Sequence, residues 1–282
     1  MQAVLLDCAG KLLDLSHPQV MGILNVTPDS FSDGGRFLAK DKAVAQAMQM
    51  VADGASIIDV GGESTRPGAA IVPVEQEIER VVPVIEALCS ELDVVISIDS
   101  SKPEVMRAAV KAGASLINDV RALRIEGALQ AAVELAVPVC LMHAQGTPQT
   151  MQNDPRYDDV VTEVIDFLLE RVNVCEQAGI ARHQLILDPG FGFGKRARHN
   201  LRLMKHLDKL IEKGFPVLVG VSRKSIIGAL LNVSTAERLA GSLSLATIAV
   251  WQGAKIIRTH DVRETKQAMA LCEHVMQVKD FD

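Results

Sequence analysis

The chain has 282 residues, of which 48% are apolar and 3% aromatic, and its net charge is −6. So much apolar content excludes a disordered chain, and so few aromatics argue against a base-stacking nucleic-acid platform or a sandwich built on a buried Trp. The acidic balance excludes a broadly basic surface for nucleic acid or anionic membrane.

Residues up to about Pro18 stand outside the pattern that follows and are expected to form a small hairpin cap. Asp7 interrupts their short apolar run and no basic leader precedes it, which disfavours a signal peptide. Short apolar runs then alternate with longer segments of helical period. The predicted strands are 20–27, 57–61, 94–99, 116–120, 139–143, 185–189, 217–222 and 256–260. They are continuously apolar, as strands covered on both faces must be, so the expected sheet is parallel and lies under helices.

Between the strands, 75–91 reads as a helix that Pro83 should kink or break. In 162–177, Ile165, Leu168, Leu169, Val172 and Cys175 recur at helical spacing, and in 261–278 Val262, Thr265, Met269, Cys272 and Met276 do the same. Gly54, Gly113, Gly179, Gly214 and Gly253 are placed to close helices in the left-handed conformation. The segment 236–251, with Trp251, is apolar on more than one face and reads as a buried helix or as the cover of a subunit interface. No stretch is long and apolar enough to read as a membrane span. The five cysteines are widely spaced, without a CxxC pair, and read as buried thiols in a reducing compartment. A soluble, cytoplasmic protein is therefore expected.

Eight strands in βα order predict an α/β fold of the (β/α)8 TIM barrel type, one domain over 1–282. An open doubly wound sheet is the alternative, but no GxGxxG follows the first strand.

Chemistry in such a barrel sits at the C-terminal strand ends. All eight predicted ends are polar. They carry Asn25, the 61–68 loop, Asp99, Asn118 and Asp119, His143, Asp188, Ser222 with Arg223 and Lys224, and Arg258 with His260. Each has a plain structural reading: an Asp caps a helix, an Asn makes a turn, a His satisfies a core. Gathered at one mouth, they read as a site. Arg66, Arg223, Lys224, Arg258 and His260 would focus positive charge on an anionic ligand. Asp99, Asn118 and Asp188 could read the donor face of a nitrogen heterocycle. No transition-metal cluster is spaced for binding, whereas a diphosphate with Mg2+ on few protein ligands is compatible. The loops after the first two strands read as lids, with Phe31 and Phe37 either closing over a ligand or packing on the rim.

The runs 21–35 (MGILNVTPDSFSDGG) and 59–68 (DVGGESTRPG) resemble the two signatures of the dihydropteroate synthase family. Asn118-Asp119, 188–195 (DPGFGFGK), 222–225 (SRKS) and 258–260 (RTH) follow in family order, so that the likeness runs from about residue 12 to the end. It looks closest to the bacterial single-function enzymes. The resemblance implies a pterin-binding barrel in folate biosynthesis, usually a homodimer. Its reaction joins 6-hydroxymethyl-7,8-dihydropterin diphosphate to p-aminobenzoate, giving 7,8-dihydropteroate and pyrophosphate with Mg2+ assisting. By motif position, Thr65, Asp99, Asn118, Asp188, Lys224, Arg258 and His260 should bind the pterin diphosphate, with Asn25 at the metal. Phe31, Arg66, Pro67, Phe193, Lys224 and Ser225 should frame the p-aminobenzoate pocket, which sulfonamides should enter as mimics. The catalytic candidates are Asp29, Asp99, Lys224, Arg258 and His260. Departure of diphosphate would leave a delocalised cation that Asp99, Asp188 and the lid residue Asp29 could stabilise, hence a dissociative alkyl transfer without a covalent enzyme intermediate. Ser100 and Ala144 stand where relatives often have Thr and Met; neither implies changed chemistry. The rival readings are a folate-dependent methyltransferase on the same barrel, a Schiff-base aldolase using Lys224, and an inactive pterin-binding protein.

Overall fold

The computed structural model describes residues 5–26, 35–64, 71–146, 151 and 154–278, without the side chains of 35–39. The chain opens with an antiparallel hairpin, β1 (Leu5–Cys8) and β2 (Lys11–Asp14). Its two-residue turn, Ala9-Gly10, takes positive φ at both positions, and the Gly10 N–H donates to Asp7 Oδ1 at 2.6 Å.

Repeating βα units follow. They are β3 (Gln19–Asn25) and α1 (Gly35–Ala52), β4 (Ile57–Gly61) and α2 (Val74–Glu91), and β5 (Val95–Asp99) and α3 (Pro103–Lys111). Next come β6 (Leu116–Asp119) and α4 (Ala128–Leu135), then β7 (Val139–Met142) and α5 (Val160–Ala178). β8 (Leu185–Asp188) is followed by α6 (Ala197–Lys205) and α7 (Asp208–Ile211). β9 (Leu218–Val219) is followed by α8 (Ser225–Leu231) and α9 (Leu239–Trp251), and β10 (Ile256–Thr259) by α10 (Val262–Gln277). The eight-stranded sheet has the order β8-β7-β6-β5-β4-β3-β10-β9, and every pairing given for it is parallel. A parallel bridge between Leu187 and Val217, with the Leu187 N–H on the Pro216 carbonyl at 3.0 Å, brings its two edges together. The structure is the expected (β/α)8 barrel with its N-terminal hairpin.

Two cores follow from the strand period of two. Side chains on the outer face, such as Leu24, Val60, Ile98, Leu141 and Leu187, pack under the helices. Inside the barrel a separate cluster takes one residue from each strand: Met21, Ile57, Val95, Leu116, Cys140, Ile186, Leu218 and Ile256. Leu6, Cys8, Leu13 and Leu15 of the hairpin close it from below. The next residues on this inner face, two positions on, change character. They include Asp59, Ser97, Asn118, Asp188 and Arg258, with Asn25, Asp99 and His260 at the rim. The lower barrel is thus an apolar plug and the upper barrel a polar chamber.

Some expectations are corrected. Helix α2 runs through Pro83, which is exposed, so the carbonyl that loses its partner can turn to water. The seventh strand keeps only Leu218–Val219 of the predicted 217–222, because the chain leaves the sheet at Gly220 and reaches φ +54° at Arg223. Phe37 belongs to α1 rather than to a loop. Phe191 is buried in the outer core. All five predicted closing glycines have positive φ. Among the described residues no helix is long and apolar enough to cross a membrane.

Candidate active site

The polar chamber is organised around Arg258, near the end of β10. Its Nε donates to Asp59 Oδ2 at 2.6 Å and one terminal nitrogen donates to Asp99 Oδ2 at 2.7 Å. Asn118 Nδ2 also donates to Asp59 Oδ2, at 3.0 Å. Three strands that are distant in sequence, β4, β6 and β10, therefore meet at one carboxylate. Burial, against the attraction of Arg258 and helped by repulsion from Asp59, pushes the Asp99 carboxyl up to about 7. Arg258 loses by burial but gains more from Asp59 and Asp99, so its proton is held firmly.

Asp188 ends β8 and accepts the Gly190 N–H at 2.7 Å. Burial pushes it up to about 6, against that hydrogen bond and against the attraction of Lys224, Lys195 and Arg258. Lys224 precedes α8. Burial and the nearby Arg258 bring its amine down to about 8, against Asp188 and Asp99. The Lys224 ammonium stands 4.1 Å from the centre of the Phe193 ring, a cation–π contact.

The turn that carries Phe193 is held from behind by Lys195. Its buried amine reaches His143 Nδ1 at 2.8 Å and the carbonyls of Gly190 at 2.9 Å, Phe193 at 3.1 Å and His143 at 3.3 Å. Burial and Lys195 hold His143 well below the usual imidazole range, so the ring is neutral and accepts at Nδ1. Gly190 has φ +68°, and a Cβ there would collide with the His143 carbonyl oxygen. His143 is thus a satisfied core histidine.

Further along the rim, His260 pairs through Nδ1 with Ser222 Oγ at 2.9 Å, and Ser222 Oγ also accepts the His260 N–H at 3.1 Å. Ser225, the first residue of α8, is exposed beside Lys224. Asn25 ends β3 next to Gly61. A Cβ on Gly61 would lie 3.8 Å from Asn25 Oδ1 and 3.7 Å from Asp99 Oδ2. The missing side chain leaves room beside Asn25 Oδ1, a hard oxygen donor that could hold Mg2+ with water completing its shell, whereas Asp99 Oδ2 is already engaged by Arg258. Among the described residues no group of three or more His, Cys, Asp or Glu side chains is placed to hold a metal ion.

The comparisons agree with this geometry. The family described as "Pterin binding enzyme" matches residues 21–260. The dihydropteroate synthase of Escherichia coli K12 is 58% identical over 271 residues, 96% of either chain. The chain belongs to the dihydropteroate synthase family. Its enzyme class is therefore that of a transferase. The Xanthomonas albilineans dihydropteroate synthase solved with 4-aminobenzoic acid superposes with a TM-score of 0.93 at 50% identity, covering 99% of this chain and 100% of that one. The Yersinia pestis dihydropteroate synthase, solved as a sulfonamide drug complex, gives 0.93 at 52% identity, with 97% and 100% covered.

Of the residues that the family signatures single out, the structure gathers Asp99, Asn118, Asp188, Lys224, Arg258 and Phe193, with Asn25, His260 and Ser225 on the rim. Asp29, Phe31, Thr65, Arg66 and Pro67 lie outside the described residues. The flanks of 65–70 are anchored: Lys102 binds Glu63, and reaches Glu77 Oε2 and the Val72 carbonyl at 2.6 Å each. Arg223 is a correction. Its guanidinium pairs with Asp261 and is half-exposed, so its charge is committed away from the chamber. Asp59 was missed as a functional candidate. Its sequence signals are an acid in the middle of the apolar strand Ile57–Gly61 and its place at the head of the 59–68 signature, neither of which names a partner.

Proposed function

We propose that this chain condenses 6-hydroxymethyl-7,8-dihydropterin diphosphate with p-aminobenzoate, releasing 7,8-dihydropteroate and pyrophosphate. The observation that carries the reading is the upper barrel layer, where the acceptors Asp99, Asn118 and Asp188 stand beside the cations Lys224 and Arg258. A pterin edge is rich in N–H donors and matches such acceptors. Arg258 lies against the ring, and His260 and Thr65 belong to the diphosphate. Phe193, Lys224 and Ser225, with Phe31, Arg66 and Pro67, take the p-aminobenzoate.

Asn25 would hold Mg2+, which supplies charge neutralisation at the departing diphosphate. The C–O bond to diphosphate breaks first. Asp99 and Asp188, with Asp29 of the loop, stabilise the pterin-methylene cation that remains. The p-aminobenzoate amine then forms the C–N bond and releases its proton, without a covalent enzyme intermediate. Exclusion of water protects the cation from capture.

We further infer a homodimer acting in the cytoplasm. The support for pairing is an apolar surface across α9 and α10, where Ile248, Trp251, Leu271 and Val275 are exposed. A mass of one chain by light scattering would overturn it.

The decisive assay mixes both substrates and follows pyrophosphate release, with and without a sulfonamide. Pyrophosphate that depends on p-aminobenzoate and is suppressed by the sulfonamide is expected. Methyl transfer from a folate without pyrophosphate, or borohydride trapping of a carbonyl substrate on Lys224, would replace the reading.

A further inference from the structure

Asp59 is a completely buried acid in the centre of β4, flanked by Ile58 and Val60. The reaction outlined above gives it no part, yet its Oδ2 receives both Arg258 Nε and Asn118 Nδ2. Its other oxygen, Oδ1, is buried without a hydrogen-bond partner among the described residues. A core chosen for stability alone would not keep such a group, because an unpaired buried acceptor is costly.

The chemistry of a carboxylate decides what Asp59 does to its neighbours. An ionised carboxylate only accepts hydrogen bonds, whereas an amide has a donor end and an acceptor end of nearly equal size. The end of Asn118 that faces Asp59 must therefore be the NH2. The carbonyl oxygen is turned the opposite way. With the amide so fixed, Asn118 offers an acceptor, as the carboxylates of Asp99 and Asp188 do. Without Asp59 either end of the amide could face a ligand. Asp59 also fixes the guanidinium of Arg258, which spans from Asp59 to Asp99 and cannot rotate without breaking one of two charge-assisted bonds.

We propose that Asp59 is the positioning residue that sets the hydrogen-bonding polarity of the pterin site, orienting the Asn118 amide as an acceptor and locking the plane of Arg258. The proposal rests on the reading that Asn118 and Arg258 contact the pterin.

The test is a reciprocal exchange. Asp59→Asn, Asn118→Asp, the pair Asp59→Asn/Asn118→Asp, and Asn118→Ala are compared by calorimetry with the pterin diphosphate and by KM for each substrate. Asp59→Asn should weaken pterin diphosphate binding about thirtyfold, the scale of one charge-assisted hydrogen bond, and leave the KM for p-aminobenzoate within about twofold. Asn118→Asp should also weaken it, because two carboxylates then meet. The pair should recover part of the loss, since the amide at 59 donates to a carboxylate at 118 that still turns an acceptor to the mouth, whereas the nitrogen that then stands in place of Asp59 Oδ2 cannot also accept Arg258 Nε. Unchanged affinity in Asp59→Asn, or a pair no better than its weaker single variant, overturns the proposal. If Asn118→Ala binds pterin diphosphate like the wild type, the pterin reading itself fails and takes the proposal with it. If Asn118→Ala weakens binding while Asp59→Asn does not, only the proposal fails. Should Asp59→Asn not fold, nuclear magnetic resonance of the wild type decides. The Asn118 NH2 protons, assigned by their loss in Asn118→Asp, should exchange slowly with solvent, and rapid exchange overturns the proposal.

Discussion

Replacing Asp188 by Asn should make the ligand-free protein more stable near neutral pH while weakening pterin binding. In the folded chain burial lifts this carboxyl from an ordinary 3.8 to about 6, although the Gly190 N–H, Lys224 and Lys195 all favour its charge. That displacement corresponds to roughly 3 kcal/mol once the group is fully ionised. A folded-state value above the unfolded one means that the favourable contribution is complete below pH 3.8 and is lost as pH rises through about 6. Asn carries no charge and escapes that loss. The two proteins should therefore be nearly equal in stability around pH 4, and the variant should lead by up to about 3 kcal/mol at pH 7.5. Urea unfolding of the ligand-free proteins at pH 4.5, 6 and 7.5 reads the gap. Calorimetry with the pterin diphosphate should show a loss of about thirtyfold, because one charged acceptor is gone. A variant no more stable than the wild type at pH 7.5 would refute the argument that this acid is held charged against its environment.

Three other outcomes follow from the same geometry. Arg258→Lys cannot span Asp59 and Asp99 together; it should cost about 2–4 kcal/mol in urea unfolding and weaken pterin binding, and equal stability would show that the fork is not needed. Gly190→Ala demands a left-handed Ala whose Cβ collides with the His143 carbonyl, so it should lose more than about 3 kcal/mol or fail to accumulate as folded protein, and an unchanged melting temperature would remove the constraint. Pterin diphosphate affinity of the wild type should rise as Asp188 and Asp99 ionise through about 6 and 7, then fall as Lys224 loses its proton through about 8; a flat profile from pH 5.5 to 9 would contradict these assignments.

Most of the barrel was legible because its signals are local. The apolar runs mark strands that are covered on both faces, and Ile57–Gly61 was placed to the residue. The closing glycines marked five helix ends because a positive φ favours that residue type. The short β9 was overestimated, since Val217, Val221 and Ser222 look like strand residues and only the left-handed turn at Arg223 shows where the sheet is left. Arg223 and Lys224 are adjacent cations in sequence, and one faces Asp261 while the other meets Phe193. Nothing in the sequence separates them. Asp59 was hidden for a different reason. Its meaning depends on Asn118 and Arg258, which only the register of β4, β6 and β10 brings to it.

The aromatic poverty of the chain fits the way this chamber is built. Its lower layer is aliphatic and closed by the hairpin, so the groups above it are poorly solvated. Asp59, Asp99 and Asp188 are set against Lys195, Lys224 and Arg258, a layer with balanced formal charge. Burial opposes the charge of Asp99, Asp188, Lys195 and Lys224, which is why the two acids move up while the two lysines move down. A ligand that supplies N–H donors to the carboxylates and an anion to the cations restores part of what solvent no longer provides. Affinity and ligand-free stability should therefore be opposed where burial outweighs the partners, as at Asp188, and lost together where a paired group is removed, as at Arg258. Neutralising Asp188 trades binding for stability, whereas substitutions that hollow out the lower plug lose stability alone.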